Sequence, residues 1–219
     1  MRIVLAVCLF LYLPHVFAQN PASDNAAERA TNFSDVAGSP YLFRDWSDGL
    51  VHFSSGRLLK QFKLKFDCAQ NKLMLQFNGS TFAAESNISE FVIFQKNGKK
   101  TDSLHFKKGF PKYGKATEET FYQVLTEGPA TLLHLFTKNI LEEKQITATS
   151  PSRRYLDEEK FFLLHNNQLS EIGREKNSLA YLLPDKSEEI KHFIDENDLK
   201  MKSAADYTKV IRKYNEWIQ

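Results

Sequence analysis

The stretch "FKLKFDCAQNKLMLQFNG", Phe62 to Gly79, decides the fold class. Phe62, Leu64 and Phe66 alternate with Lys63 and Lys65, and Leu73, Leu75 and Phe77 then recur at every second position. A period of two puts each apolar set on one face of a strand, so the stretch predicts two half-buried strands. Between them "DCAQN", from Asp67, has turn chemistry, and Asn78-Gly79 tolerates the positive φ angles that a two-residue hairpin requires. Strands joined this way pair antiparallel.

Outward from this stretch the same punctuation recurs at Ser55-Gly56, Asn97-Gly98, Gly128-Pro129 and Asn166-Asn167. The runs "EFVIF" (Glu90 to Phe94), "LLHLF" (Leu132 to Phe136) and "FFLLH" (Phe161 to His165) are apolar at both parities, which fits central strands covered on both faces. Towards the C-terminus the period changes. Asp185 with Glu188 has the spacing of a capping box, and Ile190, Phe193 and Ile194 form a stripe at helical spacing. Ser203 with Asp206 marks a second start, followed by Tyr207, Val210, Ile211, Tyr214 and Ile218 on one face. A shorter helical turn is expected before Pro184, around Asn177 to Leu183. Burying such stripes is worth about 1.5–3 kcal/mol per large side chain before entropy, so the helices are expected on the sheet, closing a face or an open end. The fold class is therefore α+β: an antiparallel β-meander forming a sandwich or partly closed barrel, with two to three C-terminal helices packed on it.

The opening residues "MRIVLAVCLFLYLPHVFAQN" combine Arg2, an apolar run from Ile3 to Leu13 and small or apolar residues before Ala18, with Val16 and Ala18 at the peptidase positions. This is the pattern of a secretory signal peptide, residues 1–18, cleaved after Ala18. Residues 19–38 are polar and small and read as a flexible leader. Residues 39–219 then form a single β-rich domain, with helices from about 175. The apolar run is short of the ~20 residues that span a bilayer, so no transmembrane span is expected in the mature chain. Cleavage leaves Cys68 as the remaining cysteine and no intramolecular disulfide, so stability must come from a hydrophobic core. The sequons at Asn32, Asn78 and Asn87 are read as unglycosylated.

Charge is nearly balanced, 29 Lys and Arg against 27 Asp and Glu, with Arg2 falling in the signal peptide. Balance and export together argue against a nucleic-acid partner.

Several phrases, "GSPYLFRDWSDGLVHF", "FKKGFP", "FYQVLTEGPATLLHLF", "YLDEEKFFLLHNNQLSEI" and the closing "LLPDKSEEIKHFIDENDLKMKSAADYTKVIRKYNEW", resemble a family of exported proteins of Bacteroidota. The resemblance runs from about Ser39 to Trp217. It implies export in a Gram-negative envelope and one shared architecture, and it implies no activity, cofactor or catalytic residue.

Chemical motifs are sparse. There is no Gly-x-Ser-x-Gly elbow, no His-Glu-x-x-His, no Cys-x-x-Cys, no phosphate-cradling Gly-rich loop and no calcium loop. His52, His105, His134, His165 and His192 are widely separated, so no metal site is expected, and no cofactor either. His134 and His165 read as hydrogen-bonded core or strand-end histidines. Cys68 sits in an expected turn beside Asp67, a poor setting for a nucleophilic thiolate. Arg153 and Arg154 are expected to be neutralised by nearby Asp157, Glu158 and Glu159.

Two loops carry aromatic and charged residues together and are the candidate binding surfaces. One offers Arg44, Trp46 and Asp48, the competing and favoured expectation being a loop whose Trp46 plugs one end of the sheet; the other offers Lys108, Phe110 and Tyr113 around a Gly-Phe-Pro that also reads as an ordinary loop anchor. The functional expectation is a non-enzymatic exported accessory or interaction protein, periplasmic or associated with the outer membrane, with an envelope protein as partner. The alternative is a periplasmic carrier of a lipid or other apolar ligand held in a curved β-sheet cavity, suggested by the 18 phenylalanines.

Overall fold

The structure is a computed structural model and describes residues 36–84, 87–143 and 151–219. The expected signal peptide and most of the expected leader, with the Asn32 sequon, lie outside the described residues. Residues 36–219 form one compact unit.

The chain builds a 12-stranded sheet. Its first half contains β1 (Val36–Ala37), β2 (Ser47–Phe53), β3 (Leu58–Leu59), β4 (Lys63–Asp67), β5 (Lys72–Phe77) and β6 (Ser80–Ala83). The second half contains β7 (Ile88–Asn97), β8 (Lys100–Lys107), β9 (Tyr122–Thr126), β10 (Ala130–Glu143), β11 (Ser152–His165) and β12 (Gln168–Glu171). Helices α1 (Ser178–Leu182), α2 (Ser187–Glu196) and α3 (Ala204–Trp217) follow, with a 3-10 turn at Pro184–Lys186 between the first two. The spatial order is β1-β11-β10-β9-β8-β7-β2-β4-β5-β6, with β12 on β11 and β3 on β2. Almost every pairing is antiparallel; the exception is the short parallel match of Val36 and Ala37 with Arg153 and Arg154. That match draws the last residues of the expected leader into the sheet, a correction that two non-periodic residues could not signal.

The stretch Phe62 to Gly79 folds as its alternation predicts, with Leu64 opposite Leu75 and Phe66 opposite Leu73. Asn78 and Gly79 both take positive φ, 48° and 83°, and close the β5–β6 hairpin. The sheet then curls. β2 meets β4 only through Ser47 with Leu64 and Asp48 with Lys63, after which the β4–β5–β6 unit folds over the concave face. Gly49 sits at this corner, where a Cβ would lie 2.3 Å from Leu64 Cδ1 and 2.2 Å from Val92 O. A side chain there would hold the two layers apart.

Curling brings Phe66 within ring-packing distance of Phe91 and Phe106, at centroid separations of 5.3 and 5.1 Å, although Phe106 lies three strands away in the sheet order. Phe91 and Phe106 stack at 4.7 Å. These rings, with Leu64, Ile88 and Ile93, fill the concavity. The sheet does not close. Instead the chain strings its far ends together: Ala37 pairs with Arg154 on β11, and Tyr41 then bridges to Asp67 at the end of β4. Asn71, in the β4–β5 turn, adds a second tie, accepting from Phe121 N–H at 2.7 Å and donating to Phe121 O at 3.1 Å.

The β10–β11 hairpin is apolar on both faces because both are covered. Leu132 and Leu163 meet the helices, which contribute Ile190, Ile194, Val210 and Ile211, all fully buried. Leu133, Leu135 and Phe162 face the other way, against the loop that carries Phe110. Within α3 the expected cap forms, Ser203 Oγ accepting from Asp206 N–H at 3.2 Å. The expected Asp185 cap does not. Pro184 opens a 3-10 turn, so Asp185 lies too early to cap α2, and its Oδ2 instead accepts from Tyr214 O–H at 3.0 Å. The charged helix faces are self-neutralising, with Lys186–Glu189, Lys191–Glu188 and Lys213–Glu216 pairs. No helix of the described residues is long and apolar enough to cross a membrane.

Candidate functional site

The two candidate loops pack on different strands. Trp46 is half-buried just before β2, and Lys65 Nζ lies 5.4 Å from its ring and 4.7 Å from that of Tyr41. Asp48 belongs to β2 itself and accepts from Lys63 Nζ at 2.6 Å, a bond that holds its carboxyl below the usual range. Arg44 is exposed. Trp46 and Asp48 are thus committed to neighbouring lysines rather than to each other.

The second loop is a cover. Phe110 packs edge-on against Tyr122 at 5.7 Å, and Tyr113 against Phe162 at 5.2 Å, so both rings lie on the outer face of β9–β11. Lys108 bonds Glu119 at 2.6 Å and lies 5.5 Å from the Phe121 ring. Tyr113 keeps 39% of its surface exposed and is the most accessible of the three.

Cys68 and His134 line the interior. Cys68 stands in the β4–β5 turn, as expected, but is buried, and faces a 110 Å³ pocket with Leu42, Phe136, Lys138, Asp157 and Glu159. Burial pushes its thiol up to about 12, with Lys138 opposing, so it stays protonated at neutral pH. His134 stacks on Phe161 at 4.3 Å, and its Nε2 lies 3.1 Å from Glu159 Oε2. Burial lowers the imidazole's proton affinity and Glu159 partly restores it. His165 stands at a strand end, its Nδ1–H donating to Pro129 O at 3.2 Å. Arg153 and Arg154 pair across the hairpin with Glu142 and Glu143, at 3.0 and 3.1 Å, not with the acids that follow them in sequence. Facing positions of an antiparallel ladder bring Glu142 opposite Arg153, closer than a neighbour further along the same strand. Among the described residues no group of three or more His, Cys, Asp or Glu is arranged to hold a metal ion.

Two features lie beyond the sequence candidates. The first is an open cleft of about 810 Å³ between the β11–β12 hairpin and the helices, walled by Leu163, His165 and Gln168 on one side and Leu182, Asp185 and Tyr214 on the other. Burial and the Asp185 carboxylate raise Tyr214 to about 12, so its hydroxyl remains a donor.

The second feature is an aromatic rim beside β6. Phe62 packs against Phe77 at 5.1 Å and against Phe82 at 5.9 Å, edge-on. Phe77 and Phe82 nevertheless keep 41% and 43% of their surface exposed. These rings stand on the core-facing side of the β4–β5–β6 unit, beyond the point where the curled sheet covers it. Their pairing across strands could be read from alternation; that the sheet stops short of covering them could not.

Comparison with protein-family models, with characterised proteins and with solved structures finds no match to the chain.

Proposed function

We propose that this chain is a non-enzymatic accessory or interaction protein of the cell envelope, exported to the periplasm or the inner side of the outer membrane, and a member of the exported Bacteroidota family it resembles. The observation that carries the reading is the rim of Phe62, Phe77 and Phe82, large rings left accessible next to a sheet edge. Such rings are favoured where a partner removes them from water. Further support comes from the interior, where Cys68 is held protonated and His134 stacks on Phe161, with Phe136 tilted against it, rather than being aimed at a nucleophile. The location rests on the N-terminal sequence and on the family resemblance.

The carrier reading draws weaker support. The concave face is filled by Phe66, Phe91 and Phe106, and the pocket beside Cys68, at 110 Å³, is small against the roughly 300–1,000 Å³ of ordinary ligand sites. The helix-side cleft is large enough, and it is where a bound molecule would be sought.

Native mass spectrometry of the full chain, purified gently from the cells that make it, tests both. A stoichiometric protein complex that Phe82→Ser dissociates supports the interaction reading. A retained small apolar mass with no protein partner overturns it in favour of the carrier, and an isolated chain with neither overturns both.

A further inference from the structure

β6 ends the strand order, and among the described residues no strand pairs with its other edge. The phase of its ladder is set by Ala84, whose N–H donates to Leu73 O at 2.8 Å. Paired and outward-facing groups alternate along an antiparallel strand, so Ser80 and Phe82 turn their N–H and C=O towards β5 while Thr81 and Ala83 turn theirs outward. All of β6 is exposed. Its sequence, Ser-Thr-Phe-Ala, contains neither the lysine nor the proline that usually blunts an edge.

Side chains alternate as well. Phe82 lies opposite Leu75 and shares the face of Phe62 and Phe77. Thr81 and Ala83 share the opposite face with Gln76 and Met74, and on β4 that face continues as Lys63 and Lys65. From Arg57 to Ala84 the basic residues Arg57, Lys60, Lys63, Lys65 and Lys72 are set against a single acid, Asp67, which is buried. Asp48 neutralises Lys63 from β2, and the unit remains basic.

We infer that β6 receives an extended segment of a partner polypeptide as an added strand, with apolar side chains at alternate positions on the Phe62–Phe77–Phe82 face and acidic side chains on the lysine face. The outward groups of Thr81 and Ala83 recur at strand spacing, and another backbone satisfies that repeat where a lipid or a small solute does not. A second copy of this chain is disfavoured, because pairing β6 with β6 brings two basic β4–β5–β6 units together. The inference rests on the interaction reading and gives that reading a partner chemistry.

The test uses the full chain and two synthetic peptides of about seven residues, long enough to run the length of β6: one alternates glutamate with valine, the other lysine with valine. The glutamate peptide is expected to bind, shifting the Thr81 and Ala83 amide resonances and slowing their hydrogen exchange, with the lysine peptide at least ~10-fold weaker. Thr81→Pro removes an outward N–H from an edge strand, where proline is tolerated, and is expected to abolish binding with the thermal midpoint unchanged. Should that variant unfold, Phe82→Glu repeats the test at a side chain that is already exposed, and binding is again expected to be lost. Equal binding of the two peptides, binding that survives both variants, or no binding by the folded chain overturns the inference. So does a concentration-dependent dimer that Thr81→Pro dissolves, which would assign the edge to a second copy. A native complex that persists in Thr81→Pro leaves the interaction reading intact and removes β6 as its site; absence of any complex in the unaltered chain removes the reading itself.

Discussion

The carboxamide of Asn215 on α3 pairs with both backbone groups of Ala130 on β10: its Oδ1 accepts from Ala130 N–H at 2.9 Å and its Nδ2 donates to Ala130 O at 2.8 Å. The side chain behaves as a missing strand, completing the ladder at the point where β10 begins. Gly128 makes room for it, since a Cβ there would lie 2.5 Å from Asn215 Nδ2. Asn215 and Ala130 are both buried, so Asn215→Ala strands two polar groups away from water and is expected to cost about 2–4 kcal/mol in urea unfolding. A loss below ~0.5 kcal/mol would mean that packing alone holds α3 on the sheet.

Gly49 makes the corner between β2 and β4 by lacking a side chain, not by unusual backbone angles. Gly49→Ala places a methyl group against Val92 O and Leu64, both on rigid elements, and is expected to destabilise by about 1–3 kcal/mol or more. Gly79→Ala, with open space around it, is expected to cost only the strain of its positive φ, about 1 kcal/mol. Reversal of that order in thermal denaturation would overturn this account of the corner.

Tyr122 is fully buried and its hydroxyl has no hydrogen-bond partner among the described residues. Tyr122→Phe keeps the ring that Phe110 and Phe162 pack against and removes the desolvated oxygen. Stability is expected to rise by about 1 kcal/mol. A fall of that size would reveal a partner for the hydroxyl.

His134 makes stability depend on pH. Burial holds its proton affinity below the ordinary 6.5, so the native chain binds fewer protons than the unfolded one in the window beneath that value. Stability therefore rises with pH across the window: the contribution is full above 6.5 and is lost as pH falls through the lowered native value. His134→Phe is expected to flatten the unfolding profile there. Glu159→Gln, which removes the group that raises the imidazole, is expected to move its NMR titration midpoint further down. A midpoint that moves up instead would reverse the assigned balance of burial and charge.

Cys68 is expected to resist thiol reagents. At pH 8 the folded chain should react with a chromogenic disulfide at least ~100-fold more slowly than the chain in urea, because the thiol is both buried and protonated. Comparable rates would place the thiol at the surface.

Much of the architecture was legible because it is written in local periods. The alternation around Leu64 and Leu75, the Asn78-Gly79 turn, the double-faced apolar runs and the Ser203 cap each depend on residues near in sequence, and each forms as expected. Asp185 shows where that reasoning fails: a phenol from 29 residues away takes the carboxylate that local spacing assigned to a cap. Arg153 and Arg154 fail in the same way, because strand register sets their cross-strand partners, facing for Glu142 and diagonal for Glu143, which sequence distance does not reveal.

The sequence by itself determined the strongly patterned strands, the helices and the apolar faces of each, since side-chain period follows backbone geometry. Only the tertiary structure decided where those faces stop being covered. Phe66 and Phe82 belong to the same face of one hairpin unit, yet Phe66 is 1% exposed and Phe82 43%. The difference comes from the curl at Gly49, which brings β7 and β8 over one ring and leaves the other beyond their reach. Coverage is a property of the assembled layers, and so the candidate surface appears only once the chain has folded.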